Sequence, residues 1–109
     1  MNDLKNYISE NQDRFINELF ELIRIPSVSA KSEHKQDMVK NAELLKKFLL
    51  AAGVDKAEVI PSDGNPVVYA EKMINPNAPT VIVYGHYDVM PAEPFDLWKS
   101  PPFEPEIRE

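Results

Sequence analysis

The chain contains no cysteine. That excludes a disulfide framework and any thiolate metal site. Glycine is scarce, at 3 of 109 residues, and none belongs to a phosphate-cradling loop or a dinucleotide fingerprint. No apolar run approaches the roughly 20 residues of a membrane-spanning helix. The opening Met1-Asn2-Asp3-Leu4-Lys5 starts no signal-peptide core. Positive charge is in the minority, with Lys plus Arg at 12 against Asp plus Glu at 18, a formal net charge of -6. Nucleic acid and anionic membrane are therefore poor partners, and no local basic patch offsets the balance. These absences lead to an expectation of a soluble, cytoplasmic protein.

The hydrophobic share is 43%, near that of ordinary globular chains, which argues against wholesale disorder. At 109 residues the chain makes one domain at most. Helical periodicity covers about 3–24, through Leu4 and Ile8, then Phe15 and Leu19, with Ile16, Phe20, Leu22 and Ile23 widening the face. Ser9 followed by Gln12 offers an internal capping box that would divide this run in two. Pro26 closes it, and Ile25-Pro26-Ser27-Val28-Ser29 reads as an ordered connection. A second helix is expected over about 32–52, with Met38, Ala42, Leu45, Leu49 and Ala52 as its stripe and Gly53 as the residue that ends it.

The period then switches to that of strands. Segments 54–60 and 66–73 flank the turn Pro61-Ser62-Asp63-Gly64-Asn65-Pro66. Thr80-Val81-Ile82-Val83-Tyr84 is apolar and β-branched, which predicts a strand over 80–85 buried on both faces. Helix, helix, hairpin and apolar strand in that order predict an α/β layer or part of a mixed sheet. Beyond Tyr84, Pro91, Pro94, Pro101, Pro102 and Pro105 forbid regular structure across most of a loop over 89–105. Phe95, Leu97, Trp98 and Phe103 are expected to pin this loop down. Glu93, Asp96, Glu104 and Glu106 read as a solvated face. The sheet looks unfinished and nothing terminates the chain at Glu109, which fits the front part of a longer protein.

The chemistry-bearing feature is Gly85-His86-Tyr87-Asp88, directly after the apolar strand. Ligands collect beyond the carboxyl ends of strands in open α/β sheets. His86 and Asp88 lie two apart, so in extended backbone their side chains share a face. Imidazole is a common ligand for zinc and similar metals, and a neighbouring carboxylate can accept its second N–H and fix the tautomer. The same pair is also consistent with a satisfied structural histidine, and one histidine does not complete a zinc site. His34 reads as an exposed or capping residue. Ser27 and Ser29 lack the adjacent base that a serine nucleophile needs and read as structural. Tyr84 and Tyr87 read as core and rim.

The stretch Tyr84-Gly85-His86-Tyr87-Asp88-Val89-Met90-Pro91 resembles the first metal-site motif of the M20 family of metallopeptidases, of the Gly-His-x-Asp-Val-x-Pro type. Trp98-Lys99-Ser100-Pro101-Pro102-Phe103 is similar to the stretch that the family carries just downstream, and Ile25-Pro26-Ser27-Val28-Ser29 to its opening. Ala92-Glu93-Pro94 before Trp98 looks most like the dipeptidase branch related to carnosine dipeptidases. The resemblance implies part of a three-layer α/β/α catalytic domain of the zinc-exopeptidase type, cut after its first ligand motif. It implies two divalent metal ions, zinc or else manganese or cobalt, a small-peptide substrate and a homodimer. His86 matches a metal ligand, and Asp88 matches the catalytic acidic residue that orients it. The remaining ligands and the general-base glutamate have no counterpart in residues 1–109, so these residues alone are expected to be inactive. An N-acyl amino acid deacylase of the same family, or a non-enzymatic binding module with the Pro/Trp/Phe segment as its surface, are the alternative readings.

Overall fold

The computed structural model describes all of residues 1–109. The chain forms two compact units, Met1–Ile25 together with Ala92–Glu109, and Pro26–Pro91.

In the first unit the expected helix over 3–24 is two helices, α1 (Asn2–Glu10) and α2 (Gln12–Arg24). The Ser9–Gln12 capping box does not form. The break falls instead at Asn11, whose side-chain amide donates to the Tyr7 carbonyl at 2.8 Å, the local competition with the helix ladder that asparagine favours. Arg14 secures the joint, donating to Asn11 Oδ1, Tyr7 Oη and Glu18 Oε1. α2 stops at Arg24, and Ile25 is extended ahead of Pro26. Phe15, Ile16, Phe20, Leu22 and Ile23 are half-buried, while Leu4, Ile8 and Leu19 are exposed. In the C-terminal segment a single 3₁₀ turn spans Phe95–Leu97. Phe95, Leu97 and Trp98 are exposed, contrary to their expected role as anchors. Trp98 donates its indole N–H to the Ala92 carbonyl at 2.8 Å and its backbone N–H to the Phe95 carbonyl at 3.2 Å. Phe103 is half-buried.

The second unit packs one helix on a hairpin. A 3₁₀ turn over Ser32–His34 leads into α3 (Lys35–Ala51). His34 occupies the N-cap position, and its Nδ1 lies 2.8 Å from Asp37 Oδ2. At the other end Val54 N–H bonds to Leu49 O at 3.3 Å and Gly53 N–H to Leu50 O at 3.1 Å. This is the paired pattern of a Schellman cap, and it requires the left-handed φ of +96° at Gly53. A Cβ there meets nothing within 4 Å, so the cost of Gly53→Ala is conformational. We expect a loss of roughly 1–2 kcal/mol in urea unfolding, with Gly53→Asn recovering part of it. An alanine variant as stable as wild type would contradict the capping role.

Strands β1 (Lys56–Ile60) and β2 (Val67–Glu71) pair antiparallel, from Lys56↔Glu71 to Ile60↔Val67. Asp55 closes the open end, accepting from the Met73 backbone N–H at 2.7 Å and from Lys72 Nζ at 3.2 Å. Those two bonds, the backbone one first, hold its carboxyl below the usual carboxylate range. α3 packs on both strands, and the buried apolar side chains are Val28, Met38, Ala42 and Ala57. Leu45 and Leu49 are half-buried, and Ala52 is exposed.

The strand expected over 80–85 is not formed, since β1 and β2 pair only with each other. Val81, Ile82, Val83 and Tyr84 are 83, 87, 92 and 90% exposed. A β-branched apolar run encodes side chains suited to a sheet, but the strand itself needs a partner backbone, and residues 1–109 supply none. Of the layered α/β arrangement expected, these residues contain one helix on one hairpin. No helix is long and apolar enough to cross a membrane.

Candidate metal-ligand site

The site is built where the connection after α2 meets the segment after Gly85, within the second unit. Val28 and Val89 form an isolated parallel bridge, with Val89 N–H donating to the Ser27 carbonyl at 2.9 Å. Ser27, which is 1% exposed, donates its hydroxyl to the Tyr87 carbonyl at 2.8 Å. Asn41, buried on α3, donates to Ser27 Oγ at 2.9 Å and reaches the Tyr87 carbonyl at 3.4 Å. Its own Oδ1 is buried without a partner. Tyr87 is half-buried, and its hydroxyl donates to the Pro66 carbonyl. Burial, and then the Asp88 charge, push that phenol above its ordinary pKa. The core role expected of Tyr84 is not met, since it is exposed, whereas Tyr87 sits half-buried at the rim as expected and anchors the segment.

On this frame the i, i+2 spacing brings His86 and Asp88 together. His86 Nδ1 lies 3.0 Å from Asp88 Oδ1 and 3.1 Å from the Asp88 carbonyl. Both oxygens are acceptors, so Nδ1 carries a proton and, in the neutral ring, Nε2 presents a lone pair. The His86 side chain is 76% exposed, and its hydrogen bonds run through Nδ1, not Nε2. Asp88 Oδ2 accepts from the Ser29 hydroxyl at 2.6 Å. That bond is the largest influence holding the Asp88 carboxyl below its ordinary pKa; partial burial opposes it and the His86 ring adds to it. The carboxylate is therefore ionised at neutral pH, the form in which it accepts from both neighbours.

Neither serine contacts an imidazole, which fits their reading as structural rather than nucleophilic. Sequence reasoning missed that Ser27, Ser29 and Asn41 assemble around the motif. The one local signal was the pairing of two hydroxyls at i, i+2 with a His and an Asp at i, i+2. The donor set fits a single metal ligand, His86 Nε2, with Asp88 behind it. No three His, Asp or Glu side chains converge so as to hold a metal ion. A closed zinc site needs about four ligands, so this geometry is one corner of such a site.

No family model matches the chain. The Cys-Gly metallodipeptidase DUG1 of Candida albicans is 34% identical over 108 residues, which cover 88% of this chain and 22% of that protein. The Beta-Ala-His dipeptidase of Mus musculus is 34% identical over 115 residues, covering 92% and 23%. Among solved structures, the dipeptidase Dug1p of Saccharomyces cerevisiae superposes with a TM-score of 0.78 at 28% identity, over 89% of this chain and 22% of that one. The chain spans less than a quarter of the length of these relatives.

Proposed function

We propose that this chain is the N-terminal part of an M20-type metallodipeptidase, and that the full-length protein hydrolyses the amide bond of dipeptides or short peptides. The observation that carries this reading is the His86–Asp88 pair, with Nδ1 committed to the carboxylate and Nε2 free. The likeness to dipeptidases over nearly the whole chain supports it. In this reading the chain belongs to a three-layer α/β/α catalytic domain and contributes His86 to a centre of two divalent ions, zinc or else manganese or cobalt. A bound ion of this kind acidifies water and polarises a carbonyl oxygen. The residues of this chain have a narrower task. His86 holds the ion through Nε2, and Asp88 keeps the proton on Nδ1 so that the lone pair stays available. The remaining ligands and the general base come from residues outside 1–109, so these residues alone are inactive. The protein is cytoplasmic and homodimeric, with no nucleic-acid or membrane partner.

The test is to assay the full-length protein on Cys-Gly and β-Ala-His, the substrates named for its relatives, with zinc or manganese and after chelation. We expect hydrolysis that chelation removes and metal restores. Activity indifferent to chelation would sink the metal reading. No cleavage of any dipeptide, with acyl amino acids cleaved instead, would move the protein to the deacylases.

A further inference from the structure

We propose that Ser29 is a positioning residue for His86, acting through Asp88; this rests on the metallodipeptidase reading above. The His86 ring is 76% exposed and its hydrogen-bond partners are the carboxylate and carbonyl of Asp88. Little else fixes the plane of that imidazole. The Asp88 side chain is itself 41% exposed, and a carboxylate on a short side chain rotates readily about its terminal bond. The Ser29 hydroxyl stops that rotation. It donates to Oδ2 at 2.6 Å, in the range of a strong charge-assisted bond, and leaves Oδ1 turned to the ring.

The result is a directional relay. Ser29 O–H donates to Oδ2, Nδ1–H donates to Oδ1, and the lone pair stays on Nε2. Ser29 is held for this task from outside the relay. The Val28–Val89 bridge sets the register of the two segments, and Ser27 and Asn41 clasp the Tyr87 carbonyl between the two relay residues. A hydroxyl 59 positions from Asp88 in sequence thereby sets the orientation of the ligand. The Asp88 carbonyl remains as a second acceptor for Nδ1, so loss of Ser29 loosens the ring without freeing it.

The experiment uses the full-length protein with Ser29→Ala and Ser29→Thr. Zinc affinity is measured by competition with a chelator, and the His86 tautomer by imidazole ¹⁵N shifts in the metal-free protein. Melting of the metal-free form controls for folding. Ser29→Ala is expected to weaken zinc binding by roughly 3–10-fold, less than the loss of the Asp88 carboxylate itself would, and to shift the ring nitrogens toward a tautomer mixture. Ser29→Thr, which keeps the hydroxyl, is expected to stay close to wild type in both. Unchanged affinity and unchanged ¹⁵N shifts in a folded alanine variant would overturn the proposal, as would a folded threonine variant as weak as alanine. A wild-type protein that takes up none of zinc, manganese and cobalt refutes the metallodipeptidase reading instead, and the metal-free ¹⁵N shifts still decide the role of Ser29.

Discussion

Replacing His86 with alanine in the full-length protein is expected to lower kcat/KM for a dipeptide by about 10³-fold, with the fold intact. Metal-ion stabilisation of the developing charge is worth several kcal/mol, and about 4 kcal/mol corresponds to that factor. The fold is expected to survive because the ring is exposed and donates only to its near neighbour Asp88. None of the buried side chains, Val28, Met38, Ala42 and Ala57, depends on it. Asp88→Ala is expected to cost less, roughly 10–100-fold, because it removes the group that orients a ligand rather than the ligand. The order of the two variants is the informative result. An Asp88→Ala enzyme worse than His86→Ala would mean that Asp88 does more than hold the ring. A His86→Ala enzyme with full activity would remove His86 from the metal centre.

What could be read in the sequence was local. Pro26 and Gly53 stop their helices for reasons contained in a few neighbouring residues, a ring closed at φ and a backbone free to turn left-handed. The i, i+2 spacing of His86 and Asp88 likewise carries its own geometry. The break at Asn11 was harder, because Ser9 offered a competing cap and only the Asn11–Tyr7 bond decides between them. The Ser29–Asp88 and Asn41–Tyr87 contacts join positions 59 and 46 apart. Serine and asparagine suit many loops and caps, so nothing in one sequence singles out these as the partners of a particular carboxylate or carbonyl. The strand over 80–85 failed for a different reason. Its composition describes the environment that the side chains suit, while hydrogen bonding with a neighbouring strand makes the element. The relatives extend well beyond the matched stretch, and in the reading proposed above further segments would meet that need.

That unmet need sets the second expected result: a polypeptide of residues 1–109 self-associates through Thr80–Tyr84. The segment carries no charge and no proline, and Val81, Ile82, Val83 and Tyr84 are all at least 83% exposed. Short, uncharged, β-prone runs with unpaired backbone are templates for strand addition. Fully burying one such side chain gains roughly 1.5–3 kcal/mol. Four from each of two copies can offset an association cost of about 4–15 kcal/mol, whereas a single copy has nothing to bury them against. Light scattering after size exclusion should find dimers or larger species whose population grows with concentration. Ile82→Lys places a charge in the middle of the run, where a paired strand would have to desolvate it, and should return the polypeptide to monomer without touching His86, Asp88 or Ser29. A wild-type polypeptide that stays monomeric at every concentration would show that the exposed run is tolerated as it stands. A lysine variant that still associates would place the contact elsewhere, on the exposed apolar faces of α1 and α2.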